Sequence, residues 1–358
     1  MDRREYLLLS VAALSGLVVS SPARSLETNI RDVAHAVGLT FGLAVNTYQL
    51  DDPVLARFIA SEAAVIVPEV EHKFGITNPA QDVADFARPD RIADFAAKHG
   101  MQLRGHTMVW HRNIPEWAFS AIADDWDAVL TQRIDSMARR YPITTWDVCN
   151  EVVADDGRSW RTDSAWYQAA GSIDYVRRSF ELAREKCPPG TGLAYCDFGT
   201  ENGNWAGAKR EKILELLEML AADGLVDSFA AQGHINVFDD GYRFDDAGWR
   251  DFLGAVAALG LRLDITELDV GNYSGAKGAE LADMAAELTE RVLTPWVEAR
   301  AGDHLIIWGV RDDLSWRNAA HPDFEQRPLP WDKSGRPNPM LTAIVRAISS
   351  SPAAKNVF

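Results

Sequence analysis

The chain alternates short apolar runs with longer amphipathic ones, and this alternation restricts its possible folds more than any other feature. Eight apolar runs have the length and composition of strands. They are Thr40 to Asn46, Ala63 to Glu71, Gln102 to His111, Ile143 to Glu151, Gly192 to Phe198, Asp227 to Asn236, Leu261 to Val270 and His304 to Asp312.

Between these runs lie segments with apolar residues three and four positions apart, which is typical of helices. Examples are Asp90 to His99, Trp126 to Arg140, Ser172 to Lys186, Gly207 to Ala222 and Glu280 to Ala299. Regular strand–helix alternation predicts parallel strands with right-handed crossovers, and eight such units close into a barrel. The sequence therefore predicts an α/β protein with a single-domain TIM (β/α)8 barrel.

The first 25 residues have a different character. Arg3 and Arg4 precede an apolar stretch from Leu7 to Val19, and small residues follow near Ala23. This pattern resembles a twin-arginine export signal, and the apolar run is too short to span a bilayer. We expect a signal in residues 1–25, the barrel in residues 26–350 and a tail in 351–358. The protein would be exported, to the periplasm or the medium, with no membrane attachment in its mature form.

Charge and cysteine content narrow the function classes. The formal net charge of −16 argues against a nucleic-acid or anionic-membrane partner, so a neutral substrate is expected. Cys149, Cys187 and Cys196 lack paired ligand spacing, which indicates neither a disulfide framework nor a metal site. No metal and no cofactor are expected. Twelve tryptophans supply flat rings suited to stacking on sugars as well as to the core.

Two glutamates end apolar runs and suggest the chemistry. Glu151 closes the run Trp146-Asp-Val-Cys-Asn-Glu151, and Glu267 lies within the run Leu261 to Val270. Carboxyls at the ends of buried strands are poorly solvated and fixed in direction, which suits a general acid and a nucleophile. The C-terminal ends of barrel strands open on one face, so these two residues are expected to converge there. The pair suggests cleavage of a glycoside.

Five motifs give the chain a family resemblance. They are Gly105-His-Thr-Met-Val-Trp-His111, Trp146 to Glu151, Gln232-Gly-His234, Ile265-Thr-Glu-Leu-Asp269, and Trp308-Gly-Val310 followed by Ser315-Trp316. In order and spacing they resemble glycoside hydrolase family 10, the endo-β-1,4-xylanases, over about residues 26–350. The resemblance implies hydrolysis of β-1,4-xylosidic bonds in xylan or xylo-oligosaccharides. We expect the enzyme to be a monomer.

The resemblance also implies roles for the residues near the scissile bond. Glu151 would be the general acid/base and Glu267 the nucleophile of a retaining double displacement, with carboxyls about 5 to 5.5 Å apart. His234 would steady the nucleophile and Asp269 would orient His234. Asn150 would hold the 2-hydroxyl of the sugar.

Seven further positions match the sugar-binding residues of the family. On the non-reducing side of the cleavage point these are Glu69, Lys73, His106 and Trp110. Around the sugar to be cleaved they are Gln232, Trp308 and Trp316. The two last tryptophans would crowd the hydroxymethyl group of glucose and so favour xylose.

The chain departs from the family pattern at several binding positions. Val70 stands where an asparagine normally bonds the second sugar upstream of the cut, Asn113 replaces a glutamine, and Cys196-Asp-Phe-Gly199 replaces Asn-Asp-Tyr-Asn. A family variant acting on another β-glycoside is therefore an alternative. A non-catalytic sugar-binding barrel is less favoured, because such a protein has no reason to keep both glutamates with His234 and Asp269. A third alternative is a barrel hydrolase that acts on β-glucan. Such an enzyme would have no crowding tryptophans near the last strand, so Trp308 and Trp316 argue against it.

Overall fold

The computed structural model describes residues 29–238 and 244–353, so the expected export signal and residues 354–358 of the expected tail lie outside the described residues. The strands of the described part are β1 (Thr40–Val45), β2 (Val65–Pro68), β3 (Gln102–Trp110), β4 (Ile143–Asn150), β5 (Gly192–Asp197), β6 (Ser228–Ala231), β7 (His234–Phe238), β8 (Arg262–Tyr273) and β9 (His304–Ile307).

Helices follow or flank these strands. They are α1 (Ile30–Ala36), α2 (Thr47–Asp51), α3 (Pro53–Glu62), α4 (Phe74–Thr77), α5 (Ala87–Lys98), α6 (Glu116–Ala138), α7 (Ala165–Ala170), α8 (Asp174–Lys186), α9 (Ala206–Ala222), α10 (Asp246–Ala258), α11 (Gly278–Ala299), α12 (Arg317–Ala320) and α13 (Pro339–Ser349), with a 3-10 turn at Asp312–Leu314. Among the described residues, no helix combines the length and apolar composition needed to cross a bilayer.

The strands form a closed parallel barrel, which confirms the predicted TIM (β/α)8 fold. Each of β1 to β5 pairs in parallel with the next strand, β6 pairs with β8, β8 with β9, and β9 returns to β1. Because all strands point the same way, their C-terminal ends open on one face. The strand ends therefore bring together residues that are more than a hundred positions apart in the sequence.

The sixth barrel strand is interrupted, although the sequence predicts one run from Asp227 to Asn236. The interruption lies at Gln232 and Gly233, between β6 and β7, and Gly233 has a φ of +79°. Glycine adopts this left-handed conformation without the Cβ clash of other residues. After the break, β7 pairs with the far end of β8, where His234 lies opposite Asp269.

The barrel interior contains a buried ion cluster as well as apolar side chains. Arg104 on β3 is 1 % exposed and donates to Asp147 at 2.6 Å and to Asp264 at 3.2 Å. Although burial alone would raise the pKa of Asp147, Arg104 and His106 lower it. Two carboxylates and one guanidinium thus satisfy one another, which a buried charge requires. Asp147 also holds Nδ1 of His106 at 3.1 Å, so the cluster supports the floor of the cleft.

Candidate active site

Glu151 lies immediately after β4, in a left-handed backbone conformation with a φ of +58°. Its backbone N–H donates to the Cys196 carbonyl at 2.9 Å, which fixes the turn out of the strand. Its carboxyl accepts from the Trp110 indole at 2.8 Å and from the Gln232 amide at 3.2 Å. Burial raises the pKa of Glu151, and the nearby Asp197 and Glu267 add to that shift. The side chain is therefore suited to carrying a proton near neutral pH.

Glu267, within β8, has the opposite electrostatic setting. Its Oε2 lies 3.2 Å from His234 Nε2, and its Oε1 lies 3.7 Å from His106 Nδ1. Burial alone would raise the pKa of Glu267, but the charge of His106, together with the hydrogen bond and charge of His234, outweighs burial and lowers it. The Cys196 thiol adds a donor at 3.4 Å from Oε1. A carboxyl held ionised in this way can act as a nucleophile.

A chain of contacts from Glu267 maintains its charge. His234 Nδ1 lies 2.8 Å from Asp269, which is itself bonded by Arg317 at 2.7 Å and by the Trp316 indole at 2.8 Å. Burial opposes the charged forms of both His234 and Asp269. Even so, Asp269 raises the pKa of His234 to about 9. Arg317 and His234 in turn lower the pKa of Asp269 to about 2. His234 is thus positively charged at neutral pH and faces Glu267.

Gln232 connects the two glutamates. Its side-chain amide bonds Glu151 and lies 3.1 Å from the Asn150 amide, while its backbone carbonyl accepts from the Glu267 N–H at 2.6 Å. Asn150, the last residue of β4, is buried beside it. These contacts mean that the break after β6 positions both carboxyls at once.

One wall of the cleft is formed after β2 and at the end of β3. Glu69 accepts from the Asn46 amide, and burial raises its pKa to about 7 despite that bond and the nearby Lys73. The Lys73 ammonium lies 4.6 Å from the ring centre of Trp110. Burial lowers the pKa of Lys73, against the attraction of Glu267, Glu69 and Glu151. The structure therefore brings these predicted binding residues to the same cleft.

The opposite wall contains the two predicted tryptophans. Trp308 is buried and its ring lies edge-on to His106, at 5.2 Å between centres, and to His234, at 6.2 Å. Trp316 is 38 % exposed and contacts His234 at 5.3 Å. Both rings therefore lie beside the histidines that face Glu267.

Sequence reasoning assigned no role to three side chains that contact this site. Arg317 follows the Ser315-Trp316 motif and is buried against Asp269. His111 follows Trp110 and faces Glu151 at 3.7 Å. Cys196, for which the sequence indicates neither a disulfide nor a metal role, is buried and contacts Glu267. Arg317 follows one of the five motifs and His111 ends another, so their positions in the sequence were the available signal.

One group of side chains has the geometry to hold a cation. His106, Cys196 and Glu267 each offer a ligand atom, and these atoms lie within 4.8 Å of one another. Each already has a protein neighbour, since His106 bonds Asp147 and Glu267 bonds His234 and the Cys196 thiol. Their contacts are thus explained by the carboxyl pair, and the expectation of no metal or cofactor stays a prediction.

The closed barrel with its polar C-terminal face places the chain among the TIM-barrel proteins. More narrowly, the chain belongs to glycosyl hydrolase family 10, whose family model matches residues 29–347.

Several relatives and solved structures resemble the chain. Endo-1,4-beta-xylanase B of Paenibacillus barcinonensis is 30 % identical over 82 % of this chain and 90 % of its own length. A xylanase of this family from Thermobacillus composti is 30 % identical, with a TM-score of 0.75 over 89 % of this chain and all of its own. A mutant protein in complex with xylotriose is 26 % identical, with a TM-score of 0.78 over 89 % of this chain and 99 % of its own.

Other curated relatives are much longer. Endo-1,4-beta-xylanase C of Paenibacillus barcinonensis is 28 % identical over 92 % of this chain but only 32 % of its own length. Exoglucanase XynX of Acetivibrio thermocellus is 29 % identical over 91 % of this chain and 30 % of its own length. The chain therefore spans about a third of these relatives.

Proposed function

We propose that this protein is a retaining endo-1,4-β-xylanase that cleaves xylan or xylo-oligosaccharides, with Glu151 as acid/base and Glu267 as nucleophile. The observation that carries the proposal is the opposite shift of the two carboxyl pKa values, raised for Glu151 and lowered for Glu267. Two carboxyls with pKa values moved apart by their surroundings are what double displacement at a glycosidic bond requires.

In the first step the Glu151 proton moves to the glycosidic oxygen while that oxygen leaves the anomeric carbon. A Glu267 oxygen bonds the same carbon, which gives a covalent glycosyl-enzyme. In the second step Glu151, now ionised, takes a proton from water as the water oxygen replaces Glu267. The configuration is therefore retained.

Around this reaction we assign substrate contacts to the walls of the cleft. Glu69, Lys73, His106 and Trp110 would hold the sugars on the non-reducing side, and Lys73 over the Trp110 ring would direct an ammonium at sugar hydroxyls. Gln232, Asn150, Trp308 and Trp316 would surround the sugar that is cleaved. The partner is a neutral polysaccharide, consistent with the net charge of −16.

A second candidate is a family variant that acts on another β-glycoside. Val70 favours it, because an apolar side chain follows Glu69 where the family usually has an asparagine. One relative of this chain is also named an exoglucanase. Product analysis on xylan, xylo-oligosaccharides and cellulose distinguishes the two candidates. The non-catalytic alternative is weaker, because both glutamates keep dedicated hydrogen-bond partners.

The roles of the two glutamates are tested with Glu151→Ala and Glu267→Ala. Each variant should lose xylan hydrolysis. On an activated aryl xylobioside, whose leaving group needs no proton, Glu151→Ala should still form the glycosyl-enzyme and accumulate it. Azide should rescue that variant and yield a β-configured product. Rescue of Glu267→Ala with the same configuration would overturn the assignment.

We also propose that the protein is exported, with residues 1–25 as a twin-arginine-type signal, residues 26–350 as one catalytic domain and residues 351–358 as a tail. The paired Arg3 and Arg4 before the apolar stretch support this. N-terminal sequencing of the protein recovered outside the cytoplasm tests the signal. Replacing both arginines by lysine should retain the precursor inside the cell, whereas unchanged export would contradict a twin-arginine route.

A further inference from the structure

His111 lies one residue beyond β3 and faces the acid/base glutamate. Its Nδ1 is 3.7 Å from Glu151 Oε2, and its side chain is 12 % exposed. Within the described residues, this nitrogen is buried and has no hydrogen-bond partner. A buried polar atom without a partner is uncommon and calls for an explanation.

A neighbouring arginine determines which ring nitrogen carries the hydrogen. Arg112 Nε donates to His111 Nε2 at 3.2 Å, and an arginine can only donate, so Nε2 must accept. Burial, reinforced by the positive charges of Arg161, Arg112 and Lys209 against Asp155, lowers the pKa of His111 to about 3. The ring is therefore neutral and its hydrogen is on Nδ1, facing Glu151.

The other groups that face Glu151 leave its ionised form poorly stabilised. Trp110 and Gln232 donate to the carboxyl, and the cations of Lys73 and Arg161 attract its charge. Burial, together with the negative charges of Asp197 and Glu267, nevertheless raises the pKa of Glu151 and favours its protonated form. This setting suits the first step of a double displacement, which needs an acid. The second step needs the carboxylate, and a further donor would support it.

We propose that His111 is a positioning residue whose Nδ1–H donates to Glu151 Oε2 once that carboxyl is ionised, and thereby supports hydrolysis of the glycosyl-enzyme. The inference rests on the roles of Glu151 and Glu267 proposed above. The 3.7 Å between His111 Nδ1 and Glu151 Oε2 is longer than a hydrogen bond. The imidazole ring must therefore move closer when Glu151 becomes negatively charged. The hydrogen stays on Nδ1 throughout, because water supplies the proton that Glu151 takes.

The test uses an activated aryl xylobioside, for which breakdown of the glycosyl-enzyme limits kcat. His111→Ala should lower kcat about tenfold, the effect of losing a hydrogen bond to a charged group, and lower KM with it. Its kcat/KM should stay within about twofold of the parent, because formation of the intermediate needs no proton from Glu151. Azide, which needs no base, should restore kcat.

Two variants serve as controls. In His111→Asn the amide nitrogen takes the place of Nδ1, so kcat should stay within about threefold of the parent. His99→Ala removes an exposed histidine beyond α5 and should leave both constants unchanged. The alkaline limb of kcat/KM on xylo-oligosaccharides should move to higher pH in His111→Ala only, because loss of the donor favours protonated Glu151.

The outcomes separate this inference from the proposed function. Equal losses in His111→Ala and His111→Asn, or a fall in kcat/KM on the activated substrate, would show that His111 only maintains the local fold. If either result were found while azide still rescues Glu151→Ala, the inference about His111 would be overturned and the proposed function would stand. Failure of azide to rescue Glu151→Ala would overturn the proposed role of Glu151 itself.

Discussion

At the scale of single residues, environment rather than identity separates Glu151 from Glu267. Both glutamates lie at the C-terminal face of the barrel, where Glu267 is buried and Glu151 is 12 % exposed. Glu151 has neutral donors and negative neighbours, so its pKa is raised. Glu267 faces two histidines, so its pKa is lowered. The acid and nucleophile roles that we propose follow from these neighbours. Substituting a neighbour should therefore shift the pH profile of kcat/KM.

Asp269→Asn should move the acid limb of kcat/KM to higher pH. Asp269 holds the pKa of His234 at about 9; without the aspartate charge, burial leaves His234 neutral near pH 7, and the pKa of Glu267 rises. The same change affects stability. A raised His234 pKa stabilises the fold below pH 6.5, and this contribution disappears as pH rises through about 9. Urea unfolding across that range should lose this slope in the variant.

Val70→Asn should raise kcat/KM on xylotriose and longer chains. Val70 is half-buried beside Glu69 and cannot bond a sugar hydroxyl. A restored hydrogen bond of about 1 to 3 kcal/mol corresponds to several-fold to about a hundredfold. An aryl monoxyloside, which does not reach this position, is the control and should be nearly unaffected. Lower activity on every xylo-oligosaccharide would indicate a pocket shaped for a different glycoside.

At the scale of elements, the break between β6 and β7 is the feature that organises the site. Gln232 on one side of the break contacts Glu151, and His234 on the other side contacts Glu267. Glu201 fixes the break by accepting from the Gly233 N–H at 2.8 Å. In an uninterrupted strand, residues two positions apart already share a face. The break instead directs β7 to the far end of β8, where His234 lies opposite Asp269.

Gly233→Ala should therefore reduce both stability and kcat. Its φ of +79° disfavours alanine, and the added Cβ would lie 2.9 Å from Ile265 Cγ2. We expect a loss of about 1 to 3 kcal/mol in the free energy of unfolding, measured with urea. Gly100→Ala is the matched control, since Gly100 has a φ of +66° and open space around it. It should lose some stability and no activity. Full activity of Gly233→Ala would show that the break tolerates displacement.

At the scale of the whole molecule, the barrel places a polar face above a charged interior. Arg104 neutralises Asp147 and Asp264 inside the barrel, and Asp147 in turn holds His106 below Glu267. Asp264 also accepts from the backbone at Asp303 and His304, at the opposite end of the barrel. The cluster thus connects the N-terminal end of β9 with the floor of the cleft.

Arg104→Met should destabilise the barrel by about 3 to 5 kcal/mol, because it leaves two buried carboxylates without their cation. Arg346→Met provides the control, since Arg346 pairs with Glu290 on the surface at 2.8 Å and should contribute about 0 to 1 kcal/mol. Both values come from urea unfolding at neutral pH. A loss for Arg104→Met no larger than that of the control would mean that the cluster adds little to stability.

Local sequence patterns were enough to predict the fold class and the candidate site residues. Apolar runs of strand length alternating with amphipathic helices have few solutions other than a parallel barrel, and short motifs at strand ends identify the polar face. All twelve predicted site residues lie on or near that face, while their catalytic and binding roles remain proposals. Hydrophobic periodicity is a local property of the chain, so it predicts strands and helices without knowledge of the tertiary structure.

How these residues act on one another is visible only in three dimensions. The approach of His111 to Glu151, the contact of Arg317 with Asp269 and the opposite pKa shifts of the two glutamates depend on atoms from different elements. The break at Gly233 was also missed, because strand propensity continues through Asp227 to Asn236 and only the contacts with Glu201 and β8 interrupt it. Closure of the barrel brings these groups within a few ångströms, and interactions of that range cannot be inferred from sequence spacing.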